Sequence, residues 1–182
     1  MTVLGFDRPN LVTRRLRLRR LERGDAAVIH LYASDVRVAR MTTSIPHPNP
    51  PGSAEAFVAR ATAPDAIETV WGLDSGEDRE NGLIGLISLK PAGSGVAEIG
   101  YWVAPAFWNA GYASEAVDAV VREAPWRGLT ALTAQVFQDN VASARVLTRA
   151  GFTYVGEGEA HSVARAGMAP TFRYRRELGR PG

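Results

Sequence analysis

IGYWVAPAFWNAGYASEAVDAVV, residues 99–121, decides the fold, because a strand, a short loop and a helix follow one another directly there. Residues 96–103 predict the strand. From Ala113 onward, apolar residues recur at the spacing of a helix packed on one face, and Pro125 predicts its end. The loop between strand and helix, residues 104–111, therefore opens directly onto a helix N-terminus.

The start of this helix is a candidate phosphate site. Its unpaired N–H groups and the positive end of the helix dipole favour an anion. Three small residues, Ala110, Gly111 and Ala113, let a pyrophosphate approach the backbone. The stretch lacks the lysine and Ser/Thr of the nucleotide P-loop and the GxGxxG pattern of dinucleotide-binding folds. Close packing of the helix on the sheet would explain the small residues equally well.

The remaining pattern predicts further strands and helices. Leu16 and Leu18 alternate with arginines, which indicates a half-buried strand with a solvated arginine face or, alternatively, a basic patch for an acidic partner. Asp25 and Ser53 are expected to cap helices, and the prolines of residues 45–51 predict a stiff loop. Further strands are expected at residues 69–73, 83–90, 129–137, 152–156 and 171–178, and further helices at 53–62 and 140–150.

The order of these elements predicts the architecture. An antiparallel-looking first half precedes a β-α-β-α-β second half, and a chain of 182 residues is long enough for one sizeable core. Together they predict an α/β class protein with a single three-layer domain over residues 1–182 and a core at 12–179.

Composition excludes several kinds of chemistry. The chain has no cysteine, so disulfides, thiolate nucleophiles and cysteine metal ligands are absent, and no metal site is expected. A net charge of +2 does not indicate nucleic-acid binding. The first residues lack the pattern of a signal peptide, and no apolar run approaches the roughly 20 residues of a membrane helix, so we expect a cytoplasmic protein.

Two motifs resemble those of the Gcn5-related N-acetyltransferase (GNAT) superfamily. Its ribosomal-protein N-terminal (RimJ/RimL-like) branch typically reads E-x-G-Y-W, then W-G-x-G-Y-A-(T/S)-E-A, which residues 98–116 match, with Asn109 in place of a common glycine. Residues 138–157, QDNVASARVLTRAGFTYVGE, resemble the family's D-N-x-x-S-x-x-V-L-x-x-x-G-F-x-x-V-G-E. The resemblance extends from Thr13 to Leu178.

The resemblance implies the acyl-CoA N-acyltransferase fold, with three α-β-α layers and a mixed, mostly antiparallel sheet. It implies acetyl-CoA as cosubstrate and direct acetyl transfer to a primary amine in a ternary complex. The pyrophosphate would bind at the backbone of residues 109–114, and the pantetheine would pair with the strand as a peptide adds to a sheet edge. The implied coenzyme A contacts are Tyr101, Trp102, Val103, Asn109, Ala110, Gly111, Tyr112, Ala113, Ser114, Asn140 and Ser143.

Glu98 is the first candidate for the base that deprotonates the amine. It shares one strand face with Gly100 and Trp102 and lies on the strand that leads into the cofactor loop. The alternative is a structural glutamate paired with an arginine of a neighbouring strand. Weaker candidates for the base are His47, His161 and Glu157. Trp102 and Trp108 are also candidate core aromatics.

Ser143 is the candidate donor to the leaving thiolate. Many relatives carry a tyrosine seven residues after the motif asparagine, but here that position is Leu147. Ser143 follows Asn140 by three residues, almost one helical turn, and therefore lies on roughly the same side. Alternatively, Ser143 only satisfies the first turn of its helix, and Asn140 is a cap rather than a pantetheine contact.

The motifs leave the acceptor amine open. A protein N-terminus, a polyamine, an amino acid or an aminoglycoside would each fit, with a pocket expected from the loops at residues 45–51, 74–82 and 161–170. The loops at 45–51 and 161–170 hold no carboxylate, which disfavours a polycation there, whereas residues 74–82 hold Asp74, Glu77, Asp78 and Glu80. The second hypothesis is a catalytically idle acyl-CoA-binding or interaction module, although the presence of Glu98 and Ser143 argues against it. A homodimer is compatible with either hypothesis.

Overall fold

The computed structural model of the protein describes residues 10–76 and 82–179. The strands are β1 (Leu11–Val12), β2 (Arg17–Arg19), β3 (Thr69–Asp74), β4 (Leu83–Gly93), β5 (Val96–Val103), β6 (Ala131–Phe137), β7 (Thr153–Ser162) and β8 (Gly167–Glu177). The helices are α1 (Asp25–Ala33), α2 (Val36–Ala39), α3 (Ser53–Thr62), α4 (Tyr112–Glu123) and α5 (Val141–Arg149), and short 3-10 turns occupy Pro105–Phe107 and Ala124–Arg127.

The strands form one mixed sheet in the order β1-β2-β3-β4-β5-β6-β8-β7. Neighbouring strands are antiparallel except β5 and β6, which are parallel and connected through α4. A parallel pair needs a crossover that is longer than a hairpin turn, and residues 104–130 supply it. This confirms the predicted α/β class and the mostly antiparallel sheet.

Helices pack on both faces of the sheet and complete the three predicted layers. The larger core lies between the sheet and helices α4 and α5, where Ala116, Val117 and Val120 are fully buried. The smaller core lies on the opposite face, where Ile29 of α1 and Val58 of α3 are buried. The predicted apolar stripe of α4 is therefore its buried face.

Two predicted helix caps are wrong. Asp25 and Ser53 are the first residues of α1 and α3, and the N-cap positions are Gly24 and Gly52. The Asp25 carboxylate instead binds the Arg19 guanidinium through two hydrogen bonds of 2.9 Å. The Asp25 carboxylate, which the local sequence predicts as a helix cap, therefore forms an ion pair with Arg19 instead.

The arginines of β2 form ion pairs within the chain. Arg17 and Arg19 both bind the Asp74 carboxylate at 3.0 Å. Burial raises the pKa of Asp74, but hydrogen bonds from these two guanidinium groups outweigh burial and hold the pKa below its ordinary value. These pairs favour a structural role for the arginines over a basic patch for an acidic partner.

The carboxyl-terminal hairpin is longer than predicted. β7 continues to Ser162 and β8 begins at Gly167, so most of residues 161–170, expected as a loop, belongs to paired strands. β7 is an edge strand whose side chains are mostly solvated, so its sequence lacks the apolar alternation of a half-buried strand. The loop expected at Asp74–Gly82 lies largely outside the described residues.

Candidate active site

The gap between β5 and β6 is the central feature of the site. These parallel strands pair at only three positions, Val96–Glu98 with Ala131–Thr133. β5 continues to Val103 and β6 to Phe137 with no further pair between them among the described residues. The edge of β5 beyond Glu98 is therefore open in the middle of the sheet, where unpaired backbone groups can bind an extended ligand.

The hydrogen-bond ladder decides which backbone groups face this gap. The N–H of Ala104 bonds to the carbonyl of Ile84, so every second residue before Ala104 directs its backbone groups to β4. Trp102 is one of these, whereas Tyr101 and Val103 direct their N–H and C=O groups into the gap. Of residues 101–103, which the resemblance predicts as pantetheine contacts, Tyr101 and Val103 therefore have backbone groups at the gap and Trp102 does not.

A cavity of about 620 Å³ lies at this gap and reaches both faces of the sheet. Glu98 and Gly100 line it on the face that α1 and α3 cover, because they alternate with the core residues Ala97 and Ile99 of the other face. Ser143 of α5 lines it from the opposite side. The structure therefore brings the two predicted catalytic residues to one cavity.

Glu98 is exposed at this cavity and forms no ion pair with any described residue. Its neighbours across the ladders are Lys90 of β4 and Thr133 of β6, and no arginine of a neighbouring strand binds it. The structural alternative, a glutamate paired with an arginine, therefore has no support in the described part of the chain.

The side chain of Ser143 contacts Tyr101, which is a pair that the sequence did not indicate. The phenol oxygen of Tyr101 lies 2.8 Å from Ser143 Oγ and 3.3 Å from the Ser143 carbonyl. Asn140 is the N-cap of α5, because its side chain accepts the Ser143 N–H at 3.2 Å. The cap is thus supplied by Asn140, as one of the two sequence interpretations has it, and the Ser143 hydroxyl is not needed for it.

Burial raises the pKa of Tyr101 far above its ordinary value and outweighs the hydrogen bond with Ser143, which lowers it. The phenol is therefore protonated at neutral pH and is a hydrogen-bonding group rather than a charged one. Leu147, at the position where many relatives carry tyrosine, is fully buried in the core and also borders the cavity. Tyr101 brings a phenol to the same region from β5.

The loop before α4 has left-handed backbone at two residues and ends at a helix N-terminus without a side-chain cap. Gly111 is the N-cap of α4 with φ of 84°, and Asn109 has φ of 60°, so both occupy the left-handed region. Asparagine tolerates this region better than most residues, which explains how Asn109 can replace the family's glycine. The indole of Trp108 donates to the Val103 carbonyl at 2.6 Å and joins the loop to β5. Gly111 makes no side-chain hydrogen bond to α4, so the first N–H groups of α4 are available to bind a ligand.

Arg15, which lies far from this loop in the sequence, is hydrogen-bonded to the loop and to the start of α4. Its Nε donates to Glu115 at 2.8 Å and a terminal nitrogen donates to the Ala110 carbonyl at 2.7 Å. Thr13 donates to Glu115 at 2.6 Å, and the guanidinium lies 4.5 Å from the centre of the Tyr112 ring. The sequence indicated a solvated strand face or a basic patch for this arginine and did not indicate its contact with Glu115 and Ala110.

The weaker candidates for the base lie elsewhere. His47, Glu157 and His161 do not line the cavity, and His161 pairs with Met168 in the β7–β8 hairpin. Of the expected acceptor loops, residues 45–51 contribute Ile45, Pro46 and Asn49 to the lining. Residues 109–114 do not line the cavity either and lie outside it, at the start of α4.

The described ranges contain no helix long and apolar enough to cross a membrane. Within the same ranges, no group of three or more His, Asp or Glu residues is arranged to hold a metal ion.

The model of the acetyltransferase (GNAT) domain matches residues 15–153, which include the open edge of β5, the loop before α4 and α5. The chain belongs to the GNAT acetyltransferase family. The resemblance seen in the two sequence motifs is thereby confirmed at the level of the family.

Individual relatives agree with this GNAT assignment. The protein named uncharacterized N-acetyltransferase YoaA from Bacillus subtilis (strain 168) is 38% identical over 89 residues, and the match spans 47% of this chain and about half, 49%, of that relative. A GNAT-family acetyltransferase from Bacillus anthracis has a TM-score of 0.79 at 24% identity, covering 93% of this chain and 98% of that one. Spermidine N-acetyltransferase from Vibrio cholerae, in complex with CoA and spermine, has a TM-score of 0.76 at 18% identity, covering 91% and 97%. These structures confirm the GNAT fold.

Proposed function

We propose that the protein transfers the acetyl group of acetyl-CoA to a primary amine by direct attack within a ternary complex. The observation that carries the proposal is the cavity that joins Glu98 and Ser143 at the open edge of β5. This edge leads along β5 to the free N–H groups at the start of α4. A ligand with an extended arm and a pyrophosphate fits both features.

Acetyl-CoA would lie along this path. Its pyrophosphate would accept hydrogen bonds from the first N–H groups of α4 beyond Gly111, since a helix N-terminus favours an anion. Its pantetheine amides would pair with the Tyr101 carbonyl and the Val103 N–H, as an added strand pairs with a sheet edge, since the Val103 carbonyl already accepts the Trp108 indole. The thioester would then reach the cavity between Glu98 and Ser143. The N–H of Tyr101 faces the gap and is a donor for the developing oxyanion.

Glu98 would act as the base, directly or through water. A primary amine is mostly protonated at neutral pH and must lose a proton before it attacks the thioester carbon. The Glu98 carboxylate is exposed at the cavity and has no competing ion pair among the described residues. It is thus free to take this proton from the acceptor.

Ser143 would donate a hydrogen bond to the sulfur as the thiolate leaves. Its hydroxyl borders the cavity and lies within hydrogen-bond distance of Tyr101. Because the buried phenol keeps its proton, Tyr101 is a positioning residue that can orient the Ser143 hydroxyl rather than an acid in its own right.

We expect Ser143→Ala to lower kcat by roughly tenfold or more, since a hydrogen bond to a charged group contributes about 1.5–3 kcal/mol. The melting temperature should stay close to wild type, because Asn140 supplies the cap of α5. Steady-state kinetics and thermal melting of the same preparations check both expectations, with Tyr101→Phe as a companion that should show a smaller fall in kcat. A wild-type kcat with a lower melting temperature would reduce Ser143 to a structural residue.

The charges of the acceptor side favour a singly charged amine. Lys90 of β4 is paired with Glu98 of β5, and the Thr69–Leu89 pair places Glu68, the residue directly before β3, on the other side of Lys90. Arg60 of α3 borders the same cavity, so among the described residues that line it two carboxylates are matched by two cations. A polycation would need an excess of carboxylates there. We therefore propose a protein or peptide N-terminal amine as the acceptor, with a small amine as the alternative.

Thiol release from acetyl-CoA across a set of amines tests this function. The set should contain lysine-free peptides with free N-termini, the same peptides with N-terminally blocked ends as controls, an amino acid, spermidine and an aminoglycoside. We expect the free peptides to show the highest kcat/KM and the blocked peptides none. Higher kcat/KM for spermidine would identify a small-amine enzyme, and acetyl-CoA binding without thiol release for any amine would favour the idle binding module.

A further inference from the structure

The loop that precedes α4 has no cation of its own. Residues 104–114 read APAFWNAGYAS and contain no lysine, arginine or histidine. A pyrophosphate carries two negative charges, which the helix dipole, equivalent to about half an elementary charge, neutralises only in part. A cation near the start of α4 must therefore come from another part of the chain if the site is to hold a pyrophosphate strongly.

Arg15 is held at this position by three contacts. Its backbone N–H and its Nε donate to the two oxygens of the Glu115 carboxylate at 2.7 and 2.8 Å, and one terminal nitrogen donates to the Ala110 carbonyl at 2.7 Å. The flat face of the guanidinium lies over the Tyr112 ring. Two of the three guanidinium nitrogens are thus fixed, and the plane of the group is fixed as well.

The third guanidinium nitrogen has no hydrogen-bond partner in the described part of the chain. This terminal nitrogen lies 3.3 Å from the point where a Cβ of Gly111 would be, which places it beside the N-cap of α4. An arginine whose other donors are anchored loses little entropy when its last donor binds an anion. The free donor therefore lies beside the end of α4 at which the first N–H groups are uncapped.

The charge of Glu115 at the start of α4 is compensated by this arginine. A carboxylate in the first turn of α4 would repel a phosphate bound at the same helix end. Burial raises the pKa of Glu115, but hydrogen bonds from Thr13 and Arg15 outweigh burial and lower it, so the carboxylate is ionised at neutral pH. Arg15 compensates that charge and adds a donor for the ligand.

We infer that Arg15 is a pyrophosphate-binding residue of the acetyl-CoA site, anchored by Glu115 and the Ala110 carbonyl so that its free terminal N–H groups bind a phosphate oxygen. The inference rests on the proposed function. A residue that is 97 positions before the helix start thereby completes a site whose own loop has no cation.

Calorimetry with coenzyme A tests the inference in two variants. We expect Arg15→Gln to raise the Kd for coenzyme A by about ten- to a hundredfold, which is the range for losing a charge-assisted hydrogen bond. Arg17→Gln is the matched control, because Arg17 also pairs with a carboxylate, Asp74, but on β2. It should leave the Kd within about twofold of wild type. The salt dependence of coenzyme A binding should also fall in Arg15→Gln alone.

A donor without phosphates separates direct binding from general loosening. The kcat/KM for S-acetylpantetheine should be the same in wild type and Arg15→Gln. Equal losses of kcat/KM for this donor and for acetyl-CoA in Arg15→Gln would overturn the inference, and so would an unchanged Kd for coenzyme A. In either case, binding of coenzyme A by the wild-type protein would leave the proposed function intact. Wild-type protein that fails to bind coenzyme A would instead overturn the proposed function itself.

Discussion

Glu98→Gln is expected to lower the turnover of acetyl transfer by about 10²–10⁴-fold, the usual contribution of a general base. The substitution keeps the size of the side chain but removes the group that accepts the amine's proton. The affinity for acetyl-CoA should be unchanged, because the proposed cofactor contacts are the backbone of β5 and the start of α4. Steady-state kinetics with a saturating acceptor and calorimetry with acetyl-CoA check the two expectations.

The pH dependence makes this test sharper. The loss in Glu98→Gln should shrink as the pH rises, since the acceptor is then increasingly present as free amine and needs no base. Glu68→Gln is the matched control, because Glu68 also borders the cavity but lies directly before β3, on the other side of Lys90 from Glu98. It should change KM for the acceptor more than kcat. Wild-type turnover in Glu98→Gln over the whole pH range would remove Glu98 from the mechanism.

Gly111→Val is expected to weaken coenzyme A binding strongly. Gly111 has φ of 84°, a region that costs a β-branched residue about 1–3 kcal/mol, so the loop must rearrange to relieve the strain. The new Cβ would also lie 3.3 Å from the terminal nitrogen of Arg15 and displace the guanidinium. Loss of both the N-cap geometry and the arginine should raise the Kd by about tenfold or more, as measured by calorimetry.

Gly128→Val is the matched control for backbone strain. Gly128 has φ of 76° at the end of the second 3-10 turn, and nothing lies within 4 Å of its Cβ position. Its substitution should lower the melting temperature by a similar amount to Gly111→Val but leave the Kd for coenzyme A unchanged. An unchanged Kd in Gly111→Val would show that the pyrophosphate does not bind at the start of α4.

Short-range features of the site could be predicted from the sequence because they depend on neighbouring residues. The succession of β5, loop and α4 follows from the spacing of apolar residues and small residues between 99 and 121, and the structure has each of these elements. Asn140 has the position and chemistry of an N-cap, and it is one. The face of α4 that packs on the core could be predicted from the helical spacing of its apolar residues.

Long-range features could not be predicted, because a single sequence does not say which distant groups meet. Asp25 has the sequence of a cap, but Arg19 lies close enough in space to bind its carboxylate. β7 has no apolar alternation, and only its pairing with β8 makes it a strand of ten residues. In both cases an ion pair or a ladder outweighs the local preference.

The sequence by itself determined the fold, the family motifs and the residues that can carry the chemistry. The tertiary structure decided how these residues combine. Separation of β5 from β6 after Glu98 opens the sheet, and only then do Glu98 and Ser143 border one cavity, each from its own face. The contact of Arg15 with Glu115 spans 100 positions, and it forms because β1 and β2 place the arginine beside α4. Local spacing specifies elements, whereas packing alone specifies which elements become neighbours.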